Sequence, residues 1–225
     1  HLYHRRQRQM CIRDRNYGVS VRKIFYLWGG DGDITADYYI TDFTDQVVVD
    51  WEEKGRISFY NLNGKSRANS FQLALDYSPF KALNFRFAYK NYDVKTTYSS
   101  GFLQRPLQAK HIFFGNIGWE TDRTIKGGQW RWDLTFHAVG EQRLVNTIRD
   151  SGKSYAPAYG LWNSQLTRAL SQKFEIYTGV ENLGNYTQKN PIIGVDDPFG
   201  IDFDSAQVYA PIFGRMLYVG LRWNL

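Results

Sequence analysis

Apolar and polar residues alternate with a period of two along stretch after stretch of this chain, and no other feature restricts its fold as much. In Ser70-Phe71-Gln72-Leu73-Ala74-Leu75-Asp76-Tyr77, the residues Phe71, Leu73, Leu75 and Tyr77 fall on one side, and Ser70, Gln72, Ala74 and Asp76 on the other. Side chains i and i+2 of an extended strand share a face, whereas a helix groups i, i+3 and i+4. A turn at Pro79-Phe80-Lys81 leads into Leu83–Lys90, where Leu83, Phe85, Phe87 and Tyr89 oppose Asn84, Arg86, Ala88 and Lys90. The two segments make an antiparallel hairpin with one apolar side. Gln129–Ala138 repeats the pattern, with Trp130, Trp132, Leu134 and Phe136 against Arg131, Asp133, Thr135 and His137, and Leu217–Leu225 closes the chain in the same way. Less regular strands are expected at about 17–28, 33–51, 56–69, 108–120, 158–170 and 173–181, giving about nine in all. At Tyr38-Tyr39-Ile40 the pattern leaves open which face is apolar.

Alternation by itself fits a soluble β-sandwich as well as a barrel in a membrane. Three features favour the antiparallel transmembrane β-barrel. Aromatics crowd the ends of the apolar faces (Tyr77, Tyr89, Trp119, Trp130, Trp132, Trp223), where amphipathic rings form interfacial girdles. The strands are long, and roughly 9–11 tilted residues cross a bilayer, while strands of soluble folds centre near five or six. Connections alternate between short ones (78–82, 121–128, 170–173) and long ones (141–157, 182–206), which is the outer-membrane arrangement. Composition agrees: 17% aromatic residues with a mean hydropathy of −0.50 suit a wall with one greasy and one wet face. The chain has no run of about 20 apolar residues for a spanning helix, and it is too aromatic for a disordered chain. A soluble β-sandwich acting as a binding module is the alternative.

Residues 1–15, HLYHRRQRQMCIRDR, differ from the rest of the chain. Five arginines against Asp14 give the segment +4 of the chain's +6, and it holds the only cysteine, Cys11. It lacks the apolar region of a secretory signal and reads as a non-native leader, with residues 16–225 as the folded part. Without the leader most of the basic excess is gone, so nucleic acid is not an expected partner.

The polar faces carry the candidate site residues. Arg86, Arg131, Asp133, His137 and Arg222 all fall on the hydrophilic side of their strands and are expected to line a lumen. Catalysis is not indicated: Asp133 and His137 lack a nucleophile beside them, and no serine sits in a nucleophile-elbow context. His111 and His137 are too few for a zinc site. Asp196, Asp197, Asp202 and Asp204 do not match a calcium loop, so neither a metal nor another cofactor is expected. Gly29–Asp33 reads as a turn with no helix after it to hold a phosphate.

Gly220, Trp223 and Leu225 fit a Gly-x-x-aromatic-x-hydrophobic ending, which resembles the signal by which outer-membrane barrels engage the barrel-assembly machinery; Leu225 stands where Phe is usual. Longer stretches are similar to TonB-dependent outer-membrane receptors. Asp37–Asp50 (DYYITDFTDQVVVD) and Asn61–Ser66 leading into Ser70–Leu73 resemble their strand-and-rim segments. Tyr177–Leu183 and Phe213–Arg222 resemble their last two strands, and the loop holding Pro191-Ile192 and Pro198-Phe199-Gly200 is of the Bacteroidetes-like type. The resemblance covers roughly residues 17–225. It implies a barrel of about 22 strands filled by an N-terminal plug, of which this chain is the C-terminal portion, without plug or TonB-contacting segment. It implies uptake of a ferric siderophore, cobalamin or oligosaccharide in a Gram-negative outer membrane. The implied partners are outer-membrane lipid, TonB through the plug, and a small-molecule or oligosaccharide ligand. A passive porin-like barrel is the alternative within the membrane class, and a fragment with two open edges is not expected to insert or transport alone.

Overall fold

The structure, a computed structural model, describes residues 13–53, 56–145, 155–200, 203–205 and 207–224. In chain order its strands are β1 (Arg13–Leu27), β2 (Gly30–Asp45), β3 (Val47–Asp50), β4 (Ser58–Asn61), β5 (Ser66–Phe80), β6 (Leu83–Tyr98) and β7 (Gly101–Gln104). They continue as β8 (His111–Glu120), β9 (Gln129–Val139), β10 (Gln142–Arg143), β11 (Tyr155–Ala156), β12 (Tyr159–Ala169), β13 (Phe174–Glu181) and β14 (Met216–Trp223). Nine of them form one antiparallel wall in the order β1-β2-β5-β6-β8-β9-β12-β13-β14, with β7 added beside β6. Every wall strand pairs with the next one up or down the chain, so the wall is an up-and-down meander. Among the described residues the path is open at β1 and β14.

The connections divide cleanly. One end of the wall has residues 28–29, 81–82, 121–128 and 170–173, and the other has 46–65, 99–110, 140–158 and 182–215. The first turn is a two-residue hairpin with positive φ at Trp28 (50°) and Gly29 (83°), the type I′ geometry that matches strand twist. The segment expected as a strand at 56–69 does not join the wall as one piece. β4 turns away to pair with β3 as a separate ribbon, and the wall resumes only at Ser66. Likewise the strand expected over 33–51 ends at Asp45, because Val47–Asp50 belongs to that ribbon. β1 begins at Arg13, so Arg13, Asp14 and Arg15 pair within the wall, Arg13 opposite Asp45. The rest of the basic leader, 1–12, lies outside the described residues, as does Leu225.

Register sorts the side chains as alternation requires. Phe85 pairs with Tyr77 and Ile117, and Phe87 with Leu75 and Gly115; Leu134 pairs with Ile117 and Ser164 on the same face. On it, Phe85 and Phe87 stack along β6 at 6.3 Å, and rings then follow across strands from Phe87 to Phe113, Phe136 and Trp162, with successive centroids 6.5, 6.0 and 4.3 Å apart. Aromatic neighbours at such spacing are worth about 0.5–1.5 kcal/mol each beyond area burial. Tyr38 is opposite Phe71 on the apolar face and Tyr39 opposite Ser70 on the polar one, which resolves the ambiguous Tyr38-Tyr39-Ile40.

Among the described residues neither face is covered by a second layer. Among the described residues no large side chain is fully buried, and Trp28 and Trp223 are 86% and 69% exposed. A soluble domain buries one face of each sheet in a core; this wall keeps two unlike faces bare.

Tyr177 and Tyr218 explain two glycines. Gly220 lies opposite Tyr177 and Gly179 opposite Tyr218, and each ring lies over its glycine. A Cβ on Gly220 would come within 2.3 Å of the Tyr177 ring, and one on Gly179 as close to Tyr218. Gly220→Val should therefore lower the assembled fraction of the full-length protein, read as heat-modifiable gel mobility, and Tyr177→Ala in that background should restore part of it. Normal assembly of Gly220→Val alone would contradict this packing.

Candidate functional site

The polar face carries charges in rows that cross the strands. Arg22 on β1 donates to Asp33 on β2, and Arg86 on β6 donates to Asp76 on β5. Asp33 and Asp76 are direct register partners, so two carboxylates meet at the centre of a four-strand row with an arginine at each end. Further along, Glu175 on β13 accepts from Arg131 on β9 at 2.6 Å and from Arg222 on β14 at 3.1 Å. Between the rows, Arg86 lies opposite Asn116, whose amide donates to Thr135 at 3.0 Å.

Of the residues expected to line a lumen, Arg131 and Arg222 come together through Glu175. Arg86 stands apart with Asp76. Asp133 shares a cleft of about 280 Å³ with Arg131, Asn116 and Glu120. His137 is flanked by Phe114 and Leu161, with no nucleophile as a cross-strand neighbour. Glu175, Asp33, Asp76 and Arg22 belong to the same system and were not singled out from sequence. Their alternation was visible, but only the strand register says which acid meets which arginine. At the C-terminal strand Trp223 packs edge-on against Phe174 at 5.8 Å. In the Asp-rich loop, Ile193 and Asp204 form an isolated bridge, and Asp202 lies outside the described residues. Among the described residues no cluster of three or more His, Cys, Asp or Glu is placed to hold a metal ion.

The long connections form a second, unforeseen cluster. Arg143 on β10 makes a two-pronged ion pair with Glu52, at 2.6 and 3.2 Å, and donates to the Gln104 carbonyl. The pair is buried, with the side chains 7% and 2% exposed. Asp50 accepts from the Tyr60 hydroxyl at 2.5 Å and from the Ser99 and Glu52 amides at 2.8 and 2.9 Å. Three connections, 46–65, 99–110 and 140–158, are thereby tied to one another. Burial pushes the Asp50 carboxyl up, but its hydrogen bonds outweigh that and hold it below the usual carboxylate range. Burial, then the bond to Asp50, pushes the Tyr60 hydroxyl up to about 12. In the last connection Gln188 is the organiser. Its amide donates to the Gln207 carbonyl and its carbonyl accepts from Tyr209 and Ala210. Between the third and fourth connections lies a cavity of about 690 Å³ lined by Tyr155, Tyr186 and Tyr209 among others.

A one-layer antiparallel wall with a greasy face, a charged face and long connections at one end defines a β-barrel of an outer membrane. The comparisons narrow the class. Residues 13–183 match the family model "TonB dependent receptor-like, beta-barrel", and the chain belongs to the TonB-dependent receptor family, whose members are outer-membrane receptors. A comparison with curated proteins gives no match. Among solved structures, the chain is similar to the ferric-catecholate import receptor Fiu of E. coli K12 (TM-score 0.60, 12% identity, 93% of this chain). It is also similar to the ferripyoverdine receptor of Pseudomonas aeruginosa (0.63, 11%, 94%) and to the copper transporter OprC (0.67, 14%, 94%). The chain spans 27–31% of the length of these proteins. At such identities the likeness is one of fold.

Two outcomes test the loop cluster. Glu52→Gln leaves the buried Arg143 guanidinium without its carboxylate, a loss of about 3–5 kcal/mol for a pair of this kind. Amide exchange across 46–62 and 99–107 should accelerate, while the wall strands stay protected. With Tyr60 raised, its contribution is complete below about pH 10 and is lost as pH climbs toward 12. With Asp50 lowered, its contribution is complete above about pH 4 and is lost as pH falls through its depressed value. Protease cleavage in these connections should thus rise at both extremes, and Tyr60→Phe should remove the alkaline limb.

Proposed function

We propose that this chain is the C-terminal wall of a receptor that takes up a scarce nutrient actively across the outer membrane, with a ferric siderophore the first substrate class to test. The observation that carries the reading is the charged polar face: ion-paired rows run from β1 to β14 on the side away from the aromatic face. Such a face suits a lumen holding water and a protein plug, while the aromatic face suits acyl chains. Arg86, Arg131, Asp133, His137 and Arg222 line that lumen in this reading, joined by Glu175, Asp33, Asp76 and Arg22.

Two of the three similar structures are receptors for ferric chelates, which supports iron before cobalamin or an oligosaccharide; the third, a copper transporter, keeps a metal cargo in view. The ligand meets the long connections first, where the Tyr-lined cavity lies. Energy comes from TonB through the plug, and Gly220, Trp223 and Leu225 engage the barrel-assembly machinery. The chain performs no catalysis in this reading, since the polar face joins its charges to one another and places His137 among apolar neighbours.

Deletion of the gene for the full-length receptor should abolish uptake of a labelled ferric siderophore under iron limitation, and a protonophore should stop uptake in the wild type. Uptake that persists with the protonophore would instead indicate a passive porin. The face assignment has its own test. In the full-length receptor Leu134→Arg should block assembly, because a charge at mid-depth on the lipid side costs roughly 2–4 kcal/mol, and Arg131→Ala should spare it. Equal membrane yields would reject the assignment.

A further inference from the structure

The connections 140–158 and 182–215 form the wall of the cavity of about 690 Å³. Tyr155, Tyr186 and Tyr209 stand in that wall with Leu144, Ile192 and Val195. The backbone under each of the three rings is fixed. Asn182, only 6% exposed, accepts from the Tyr186 amide at 2.9 Å and donates to the Tyr186 carbonyl at 2.7 Å. The Tyr186 ring stacks on Tyr159, with centroids 5.4 Å apart and planes 9° apart. Buried Gln188 accepts from the Tyr209 amide, and the Tyr209 carbonyl takes a bond from Gln142 at 3.2 Å. Tyr155 pairs with Arg143 in the β10–β11 ribbon. Rings held in place before a ligand arrives lose little freedom on binding it, which favours affinity.

The same wall has no surplus of charge. Among the described residues, Lys189 and Asp196 are the only charged side chains that line the cavity, one of each sign. Two arginines of these connections are turned elsewhere: Arg143 into its buried pair with Glu52, and Arg215 onto the Leu183 carbonyl at 2.6 Å. In sequence the two connections hold five lysines and arginines against six aspartates and glutamates. Burial, then the neighbouring Tyr186, pushes the Tyr209 hydroxyl up. It therefore stays protonated near neutral pH, a neutral donor and acceptor and not a phenolate that could take iron from a chelate. An anion of high charge entering this space gives up hydration and meets no excess of cations in return. An uncharged ligand finds rings, aliphatic side chains and neutral hydrogen-bonding groups, in a volume within the range of small-molecule sites, about 300–1,000 Å³.

We infer that this cavity is a subsite for an uncharged ferric chelate of the trihydroxamate type and selects it over an anionic tricatecholate. Three hydroxamates cancel the charge of ferric iron, whereas three catecholates leave a trianion. The inference rests on the reading of the chain as the wall of a siderophore receptor and adds which chemical class of chelate that receptor accepts. The chelate binds intact, with no bond to iron formed or broken. Tyr155, Tyr186 and Tyr209 pack against its organic arms, and their hydroxyls donate to its carbonyl oxygens.

The test is equilibrium binding to the purified full-length receptor, read as quenching of its intrinsic fluorescence. The probes are ferrichrome, an uncharged trihydroxamate, and ferric enterobactin, a trianionic tricatecholate. Ferrichrome should bind more tightly by at least roughly tenfold, and its affinity should change by less than about twofold between about 0.05 and 0.5 M salt. Tyr186→Ala and Tyr209→Ala should each weaken ferrichrome binding roughly tenfold, with heat-modifiable mobility unchanged. Should either variant fail to assemble, Tyr155→Ala, at a position 47% exposed, should show the same loss. Equal or tighter binding of ferric enterobactin, a ferrichrome affinity that falls steeply with salt, or unchanged affinity in the tyrosine variants would overturn the inference and leave the siderophore reading standing. Binding of neither chelate, or of an uncharged oligosaccharide such as maltoheptaose alone, would overturn both.

Discussion

Backbone pairing is the constraint on which the rest of this structure depends. In hydrocarbon a peptide N–H or C=O finds no water, and leaving one unpaired costs several kcal/mol. A β wall can meet that demand only by joining every strand to a neighbour on each side. The nine-strand meander does so along its interior, and β1 and β14 mark where the pairing ends among the described residues. Stability of such a wall does not come from a core. It comes from the ladder of hydrogen bonds and from side chains that suit two different surroundings, so large residues stay exposed along the sheet.

That arrangement moves the packing problem from the interior to the surface of the sheet. Rings lie along the wall instead of between layers, and glycines on adjoining strands leave room for them, as Gly220 does for Tyr177 and Gly179 for Tyr218. Charges follow the same logic on the polar face, where Arg131 and Arg222 close on Glu175 from two strands. At the end with long connections the order changes again. There the Glu52–Arg143 pair is buried and chain segments 91 positions apart are held together, which gives the connections a fixed form above a wall that is only one layer thick.

Much of this was legible in the residues. Alternation located the main wall strands, and the hairpin of Ser70–Tyr77 with Leu83–Lys90 stands as read. Boundaries were less legible. Val47–Asp50 and Ser58–Asn61 have the composition of wall strands, but they pair with each other because the connection 46–65 folds back on itself. Alternation describes one strand at a time and is silent about its partner. For the same reason Arg86, Arg131, Asp133, His137 and Arg222 could be placed on a polar face, while Glu175 and the Asp33–Asp76 contact could not be anticipated.

The sequence by itself determined a chain of long amphipathic strands with rings on one side, charges on the other, and turns of unequal length, because strand periodicity and turn chemistry are local properties. Tertiary structure alone decided the register, and register is what makes Asp33 face Asp76, sets Tyr177 over Gly220 and brings Lys95 and Lys110 to one carboxylate. A shift of a single residue in pairing would turn every side chain of a strand to the opposite face. That choice is made by neighbours distant in the chain, so it cannot be read from any one segment.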